Sequence, residues 1–248
     1  KMKTKKEFSE VARLFEGWEE TMIYTCLEGR MGKVILDGNN PPRAALAEVG
    51  YFCFFAGEPD EELIRRASAP ALTPQDERWC RAIERVWGPR VERTLRYAVK
   101  KERDVFELEK LRGFVGALPP EYTLKEIDGG LFERLLSEEW SRDFCSLYPS
   151  YEEYKAHGLG FAALKEGVPV AGASSYTFWS EGIEIEIDTR SDCRRKGLAT
   201  VCASALILEC LRRGLYPSWD AHDLRSLALS EKLGYHRDKP YPVYSLKA

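Results

Sequence analysis

The stretch GIEIEIDTRSDCRRKGLATVCASALILECLRR, residues 182–213, constrains the fold more than any other part of the chain. Its first part alternates, with Ile183, Ile185, Ile187 and Thr189 on one face and Glu184, Glu186 and Asp188 on the other, which is the two-residue period of a strand. Residues 199–213 are apolar at almost every central position and are followed by Gly214, the pattern of a well-buried helix with a glycine stop. Between strand and helix lie Asp192, three consecutive cations (Arg194, Arg195, Lys196) and Gly197.

The order of charges is informative. A helix N-terminus carries roughly half a positive charge and several unpaired backbone N–H groups, so each cation there costs about 0.3–1 kcal/mol. Three cations at that end make sense around an anion. A strand, a glycine-containing turn and a helix N-terminus aim backbone amides at phosphate, and Gly197 lets the backbone approach without a side chain in the way. A solvated basic loop, partly offset by Asp192, is the plainer alternative. The triphosphate pattern G-x-x-x-x-G-K-[ST] and the dinucleotide pattern G-x-G-x-x-G are both missing from this turn.

What stands there is R-x-x-G-x-A, as Arg194-Arg195-Lys196-Gly197-Leu198-Ala199. This resembles the pyrophosphate loop of the GNAT acyl-CoA-dependent N-acetyltransferases, written [Q/R]-x-x-G-x-[G/A]. Downstream, a short strand around Tyr216 precedes Asp223-Leu224-Arg225-Ser226-Leu227-Ala228-Leu229-Ser230-Glu231-Lys232-Leu233-Gly234-Tyr235. That run is similar to the family's N-x-x-S-x-x-L-Y-x-K-L-G-[F/Y], with Asp223 in place of the Asn and Ser230 in place of the Tyr. The resemblance covers residues 121–248. The whole chain, with the phrase Tyr51-Phe52-Cys53-Phe54-Phe55-Ala56-Gly57-Glu58-Pro59, resembles the zwittermicin A resistance branch of that family.

The resemblance implies direct attack of an amine on the thioester of acetyl-CoA in a ternary complex. It implies that the backbone of Ile187, Asp188 and Thr189 meets the pantetheine arm where two parallel strands splay. Arg194, Arg195, Lys196, Gly197, Leu198, Ala199 and Thr200 then hold the pyrophosphate, and Asp223 and Ser226 take the places of pantetheine-contacting residues. Asp223 reads equally as a helix N-cap, because an ionised carboxylate cannot donate as an amide does. Ser230 occupies the position of the general acid, with a shorter and weaker donor. Tyr235, Tyr241 and Tyr244 are substitutes by hypothesis. Glu184 and Glu186 share a face, and two carboxylates close together raise one pKa toward neutrality, as a base for an ammonium requires. They read also as solvent-facing or paired residues. Trp219 and Asp220 are candidates to face the acceptor, with Asp220 suited to a cationic amine or to a helix-entry turn.

The expected fold is α/β (α+β): a largely antiparallel sheet with flanking helices in residues 119–248, preceded by a smaller mixed domain in residues 1–118, divided at Leu118-Pro119-Pro120. The first half carries no chemical motif of its own, and its Phe52, Phe54 and Phe55 read as core. Residues 8–18 and 60–67 read as helices, 74–87 and 105–115 likewise. Residues 21–27 and 33–36 read as a hairpin.

With 248 residues, 44% hydrophobic and 31% charged, the chain is long enough for two ordinary domains and is of globular composition. The net charge of −3 points away from nucleic acid and anionic membranes, and no run approaches the ~18–20 apolar residues of a span. Seven cysteines without C-x-x-C spacing and three scattered histidines argue against a disulfide framework and against a metal. Cys193 and His222 read as bystanders. The expectation is a cytoplasmic enzyme acting on a small aminated molecule such as an antibiotic. Its rivals are a catalytically weak acyl-CoA-binding regulator and a scaffold whose basic loop holds only a free anion.

Overall fold

The computed structural model describes residues 5–247, with side chains from residue 9 onward. The chain divides into two compact units. One comprises the residues up to Tyr97 together with those from Lys239 onward, and the other spans Ala98–Asp238.

The first unit opens with α1 (Lys5–Leu14) and α2 (Thr21–Leu27), then β1 (Lys33–Leu36), β2 (Ala44–Val49) and β3 (Phe52–Gly57). It continues with α3 (Glu61–Arg66), β4 (Ala71–Pro74), α4 (Glu77–Trp87) and β5 (Val91–Val99). β2 and β3 form a hairpin across Gly50, β3 pairs parallel with β4, and β4 pairs antiparallel with the chain's last strand at Leu72↔Tyr244. α3 and α4 start on aspartate caps, Asp60 accepting from Leu63 N and Asp76 from Arg78 N and Trp79 N. Both helices pack their apolar faces on Leu46, Phe55 and Leu72 through Leu63, Ile64, Trp79 and Ile83. Phe54 and Phe55 are core, as expected, and Phe52 is half-buried.

The segment Thr21–Leu27 is a helix rather than one arm of a hairpin. Thr21, Ile23 and Thr25 favour a strand locally, but Glu20 caps the segment through Met22 N. Burial of Met22, Ile23 and Cys26 then outweighs the small propensity difference. β1 pairs instead with β2, from Lys33↔Glu48 to Leu36↔Ala45. The short strand β4 carried no alternation to reveal it.

The second unit contains α5 (Leu108–Gly116), β6 (Tyr122–Glu126), α6 (Gly129–Leu136), α7 (Tyr151–His157), β7 (Gly160–Lys165), β8 (Val168–Trp179) and β9 (Gly182–Thr189). After it come α8 (Leu198–Arg212), β10 (Tyr216–Ser218), β11 (Asp220–Ala221), α9 (Leu224–Leu233) and β12 (Arg237–Leu246), which carries the chain back to the first unit. Between α6 and α7 lies a single 3-10 turn, Arg142–Phe144. The sheet order is β10-β9-β8-β7-β6, antiparallel throughout except for β9 with β10. The β7–β8 hairpin turns on Glu166 and Gly167, both at positive φ, the two-residue turn that matches strand twist. α8 lies across β7, β8 and β9 and is buried at Val201, Cys202, Ala205, Leu206 and Ile207. α5 packs on α8, so the second unit begins at Ala98 and takes in residues ahead of Leu118-Pro119-Pro120. Among the described residues, no helix is long and apolar enough to cross a membrane.

Glu48 is a buried charge that ties β1, β2 and β3 to the segment at Ser68. Its carboxylate accepts from Ser68 N at 2.8 Å, from the Ser68 hydroxyl and from Cys53 Sγ, and meets Lys33 Nζ at 3.0 Å. Burial pushes this carboxyl up, but hydrogen bonds from Ser68, Lys33 and Cys53 outweigh it and hold the pKa at about 2. A folded pKa below the unfolded one contributes stability above the ordinary carboxylate range, lost as pH falls toward 2. Glu48→Gln is therefore expected to lower stability at pH 7 by about 2 kcal/mol and to flatten its decline between pH 4.5 and 2, read by denaturant titration at several pH values.

Candidate active site

β9 is paired unequally on its two edges. Along β8 its ladder runs from Gly182↔Trp179 to Thr189↔Ala171. Along β10 it holds only Gly182↔Tyr216, Ile183↔Pro217 and Glu184↔Ser218. The chain then leaves β9 through Trp219 and β11, which does not join this sheet. From Ile185 to Thr189 the edge of β9 facing away from β8 has no strand partner among the described residues, and at its end Thr189 N donates to Asp188 Oδ1 while Thr189 O accepts from Arg194 Nε.

That edge opens on a cleft of about 530 Å³. Glu186, Ile187, Asp188 and Thr189 form one wall, and the first turn of α8 forms another through Gly197, Leu198, Ala199 and Thr200. Asp223, Arg225, Ser226 and Leu229 of α9 and its cap face them, with His222 beside the cap. Arg194, Arg195 and Cys193 complete the lining. Every residue expected at the coenzyme therefore lines one cavity, apart from Lys196. Its ammonium lies 3.3 Å from Tyr122 Oη, which raises the lysine pKa.

The turn before α8 is held by its own charges. Arg190 bonds Asp192 through two nitrogens, at 2.7 and 2.9 Å, closing the 3-10 turn Ser191–Cys193. Arg194 Nε donates to Thr189 O at 3.1 Å and its guanidinium stands 3.5 Å from Asp188. Arg195 sits at φ 62, is exposed, and has no ion-pair partner among the described residues. Gly197 caps α8 at φ 79 without any side-chain hydrogen bond. The first-turn amides of α8 thus keep their donors toward the cleft, beside an uncommitted cation. An anionic ligand fits this cradle, and an extended ligand with amide groups fits the bare edge of β9.

Asp223 is the N-cap of α9. It accepts from Arg225 N and Ser226 N, both at 2.9 Å, and forms an ion pair with Arg225. The bond from Ser226 N, then burial against the pairing with Arg225, leaves its pKa lowered. Ser226 Oγ accepts from Trp219 Nε1 at 3.2 Å. Trp219 is only 2% exposed and tilts against Tyr235, so its indole forms the support behind the cleft. Asp220 is half-buried in β11, outside the cleft lining.

Of the two glutamates, Glu186 is half-buried and lines the cleft, while Glu184 is 3% exposed two residues deeper on the same face. Burial first, and the Glu184 carboxylate next, push the Tyr216 phenol upward. Ser230 is fully buried and donates to Leu227 O at 2.8 Å, an (i, i−3) bond inside α9. Tyr235 is buried with its hydroxyl on Pro217 O at 2.6 Å, and Tyr241 and Tyr244 belong to the first unit. Arg225 and Leu229 are wall residues that the reading of motifs passed over, and Cys193 and His222, read as bystanders, line the cleft too. Leu229 was within reach of it, being three residues beyond Ser226 on one helical face.

A family model described as GNAT acetyltransferase matches residues 12–244. The chain belongs to this family and is an N-acetyltransferase. Members of the family use acetyl-CoA. A GCN5-related N-acetyltransferase-like protein from Streptococcus suis is 47% identical, with a TM-score of 0.94 over 98% of this chain and 99% of that one. YdfB of Bacillus subtilis, called an uncharacterized N-acetyltransferase, is 27% identical over 97% of this chain and 96% of its own length. A GCN5-related N-acetyltransferase from Kribbella flavida shares the fold at 13% identity, with a TM-score of 0.55 over 88% and 90% of the two chains.

A Cβ at Gly197 would meet nothing within 4 Å, so a side chain there projects into open space at the mouth of the cradle. Gly197→Glu is expected to weaken CoA binding by at least about tenfold through obstruction and repulsion, beyond the ~1–2 kcal/mol of left-handed strain it adds. Titration calorimetry with CoA reads the first effect, and thermal unfolding reads the second.

Proposed function

We propose that this chain moves the acetyl group of acetyl-CoA onto a primary amine of a small molecule, by direct attack in a ternary complex. One observation carries the reading: the bare edge of β9 and the glycine-capped start of α8 open onto the same cleft. Backbone groups of Ile187 and Asp188 would pair with the pantetheine arm, with Thr189 at the end of the row already bonded to Asp188 Oδ1 and to Arg194 Nε. Amides of Gly197, Leu198, Ala199 and Thr200, with Arg194, Arg195 and Lys196 around them, hold the pyrophosphate. When bound, the coenzyme would supply an activated thioester carbonyl.

Glu186 takes the proton from the acceptor ammonium, with Glu184 next to it on the same face as the alternative base. Trp219 supports the wall, and Asp220, next to it in sequence but outside the cleft lining, remains the carboxylate suited to a cationic acceptor. With the Ser230 hydroxyl committed to Leu227 O, water in the cleft supplies the proton to the leaving thiolate. Holding amine and thioester together contributes about 7–11 kcal/mol, whereas a base contributes roughly 10²–10⁴-fold. Positioning therefore dominates, and a missing proton donor is tolerable.

Resemblance to the zwittermicin A resistance acetyltransferases supports an aminated antibiotic as acceptor. The seven free cysteines, all buried, support a cytoplasmic setting.

Release of CoA thiol, followed against a library of small amines, tests the proposal; no amine raising the rate above background hydrolysis would sink it. Once an acceptor is in hand, Glu186→Gln is expected to lower kcat by roughly 10²-fold and to remove the acidic limb of the pH–rate profile. If the limb persists in Glu186→Gln and disappears in Glu184→Gln, the base is Glu184.

A further inference from the structure

The place where β10 parts from β9 is held by a lysine that no motif contains. β10 is the edge strand of its sheet, and the segment after β5 straps its outer side. Lys100 N donates to His236 O at 2.9 Å, and Lys100 O accepts from Tyr216 Oη at 3.3 Å. Arg103 bonds Glu181 and lies 5.8 Å over the Tyr216 ring. Those contacts grip the start of β10. Lys101 alone of the strap reaches its end, where Nζ donates to Ser218 Oγ at 2.9 Å and to Trp219 O at 3.1 Å.

Ser218 is the last residue of β10 in register with β9, opposite Glu184, and Trp219 is the first beyond the ladder. The ammonium therefore binds one group on each side of the parting point. Trp219 in turn donates to Ser226 on the far wall of the cleft, and Tyr235 Oη holds Pro217 O from the other side. An unbroken series of hydrogen bonds runs from Lys101 through Trp219 to Ser226. Without the ammonium, the carbonyl of Trp219 would seek a new donor, and the open edge of β9 is the adjacent source.

We propose that Lys101 is a positioning residue: by tying Ser218 and Trp219 it keeps β10 from closing on β9 and so holds the gap at the width an acyl-CoA arm requires. This rests on the acyl-CoA reading of the cleft. It assigns Lys101 to binding of the donor rather than to the chemical step, so its loss acts on KM for acetyl-CoA more than on kcat. A lysine that merely helps to cover an edge strand would lower stability without that bias.

The test is calorimetry with CoA on the full chain, with thermal unfolding and steady-state kinetics alongside. Lys101→Met is expected to weaken CoA binding by about tenfold, the scale of one charge-assisted hydrogen bond. KM for acetyl-CoA should follow, and kcat should stay within about threefold. Lys101→Arg should restore most of the affinity. Ser218→Ala, which removes one acceptor and keeps the lysine, should weaken CoA by about threefold and serves if Lys101→Met does not fold. Arg103→Met strips the strap at the other end and should lower the melting temperature while leaving CoA affinity unchanged. CoA affinity equal to wild type in Lys101→Met, or in Ser218→Ala if Lys101→Met does not fold, overturns the role of Lys101. So does an equal loss of affinity in Lys101→Met, Lys101→Arg and Arg103→Met. A wild-type chain that takes up no CoA overturns the acyl-CoA reading instead.

Discussion

Two parallel strands that pair for three residues and then separate impose a requirement on everything around them. A sheet edge left bare inside a protein holds unpaired amides and carbonyls, and such groups must find water, a ligand or another chain segment. Here β8 pairs with the other edge of β9 from Gly182 to Thr189, with a register shift between Ser175 and Thr177, while β10 departs after Ser218. The turn, the helix that follows it and the cap of α9 are then arranged around the resulting cleft.

The second constraint is α8. Most of its residues are buried against β7, β8 and β9, and its axis is set by that packing rather than by its caps. A helix anchored this firmly can carry an unfavourable N-terminus. Gly197 provides no side-chain cap, and three cations precede the first turn. Each departure costs about 0.3–1 kcal/mol, which a buried fifteen-residue helix absorbs and which an anion in the cradle would offset. Arg190 and Asp192 neutralise each other in the turn and Arg194 leans on Asp188 and Thr189 O, which leaves Arg195 without an ion-pair partner among the described residues.

Much of the second unit could be read from the chain itself. The alternation of Ile183, Ile185 and Ile187 and the apolar run of α8 appear where their periodicity puts them, and the parallel return through Tyr216 where the family resemblance implies it. Two-sided burial is the part that alternation misstates. Glu184 sits on the polar face of β9 yet is 3% exposed, because other parts of the unit cover that face. Asp223 resolves toward its capping role, since Arg225 and Ser226 occupy the carboxylate. Ser230 sits in the register of a family tyrosine, but a hydroxyl so short bonds back to its own helix. In the first unit, residues Thr21–Leu27 mislead because their β-branched content describes a local preference that burial on a sheet overrides.

Local order of residues determined the elements of the cleft, namely a strand, a basic glycine turn and a buried helix, since periodicity, caps and charge act over a few neighbours. Which carboxylate meets the cleft, where β10 leaves β9, and that Lys101 is drawn to Ser218 and Trp219 were decided only by tertiary structure. Lys101 and Ser218 stand 117 positions apart, and no pattern within either segment encodes the ladder register that brings an ammonium to the one carbonyl just past the last paired residue.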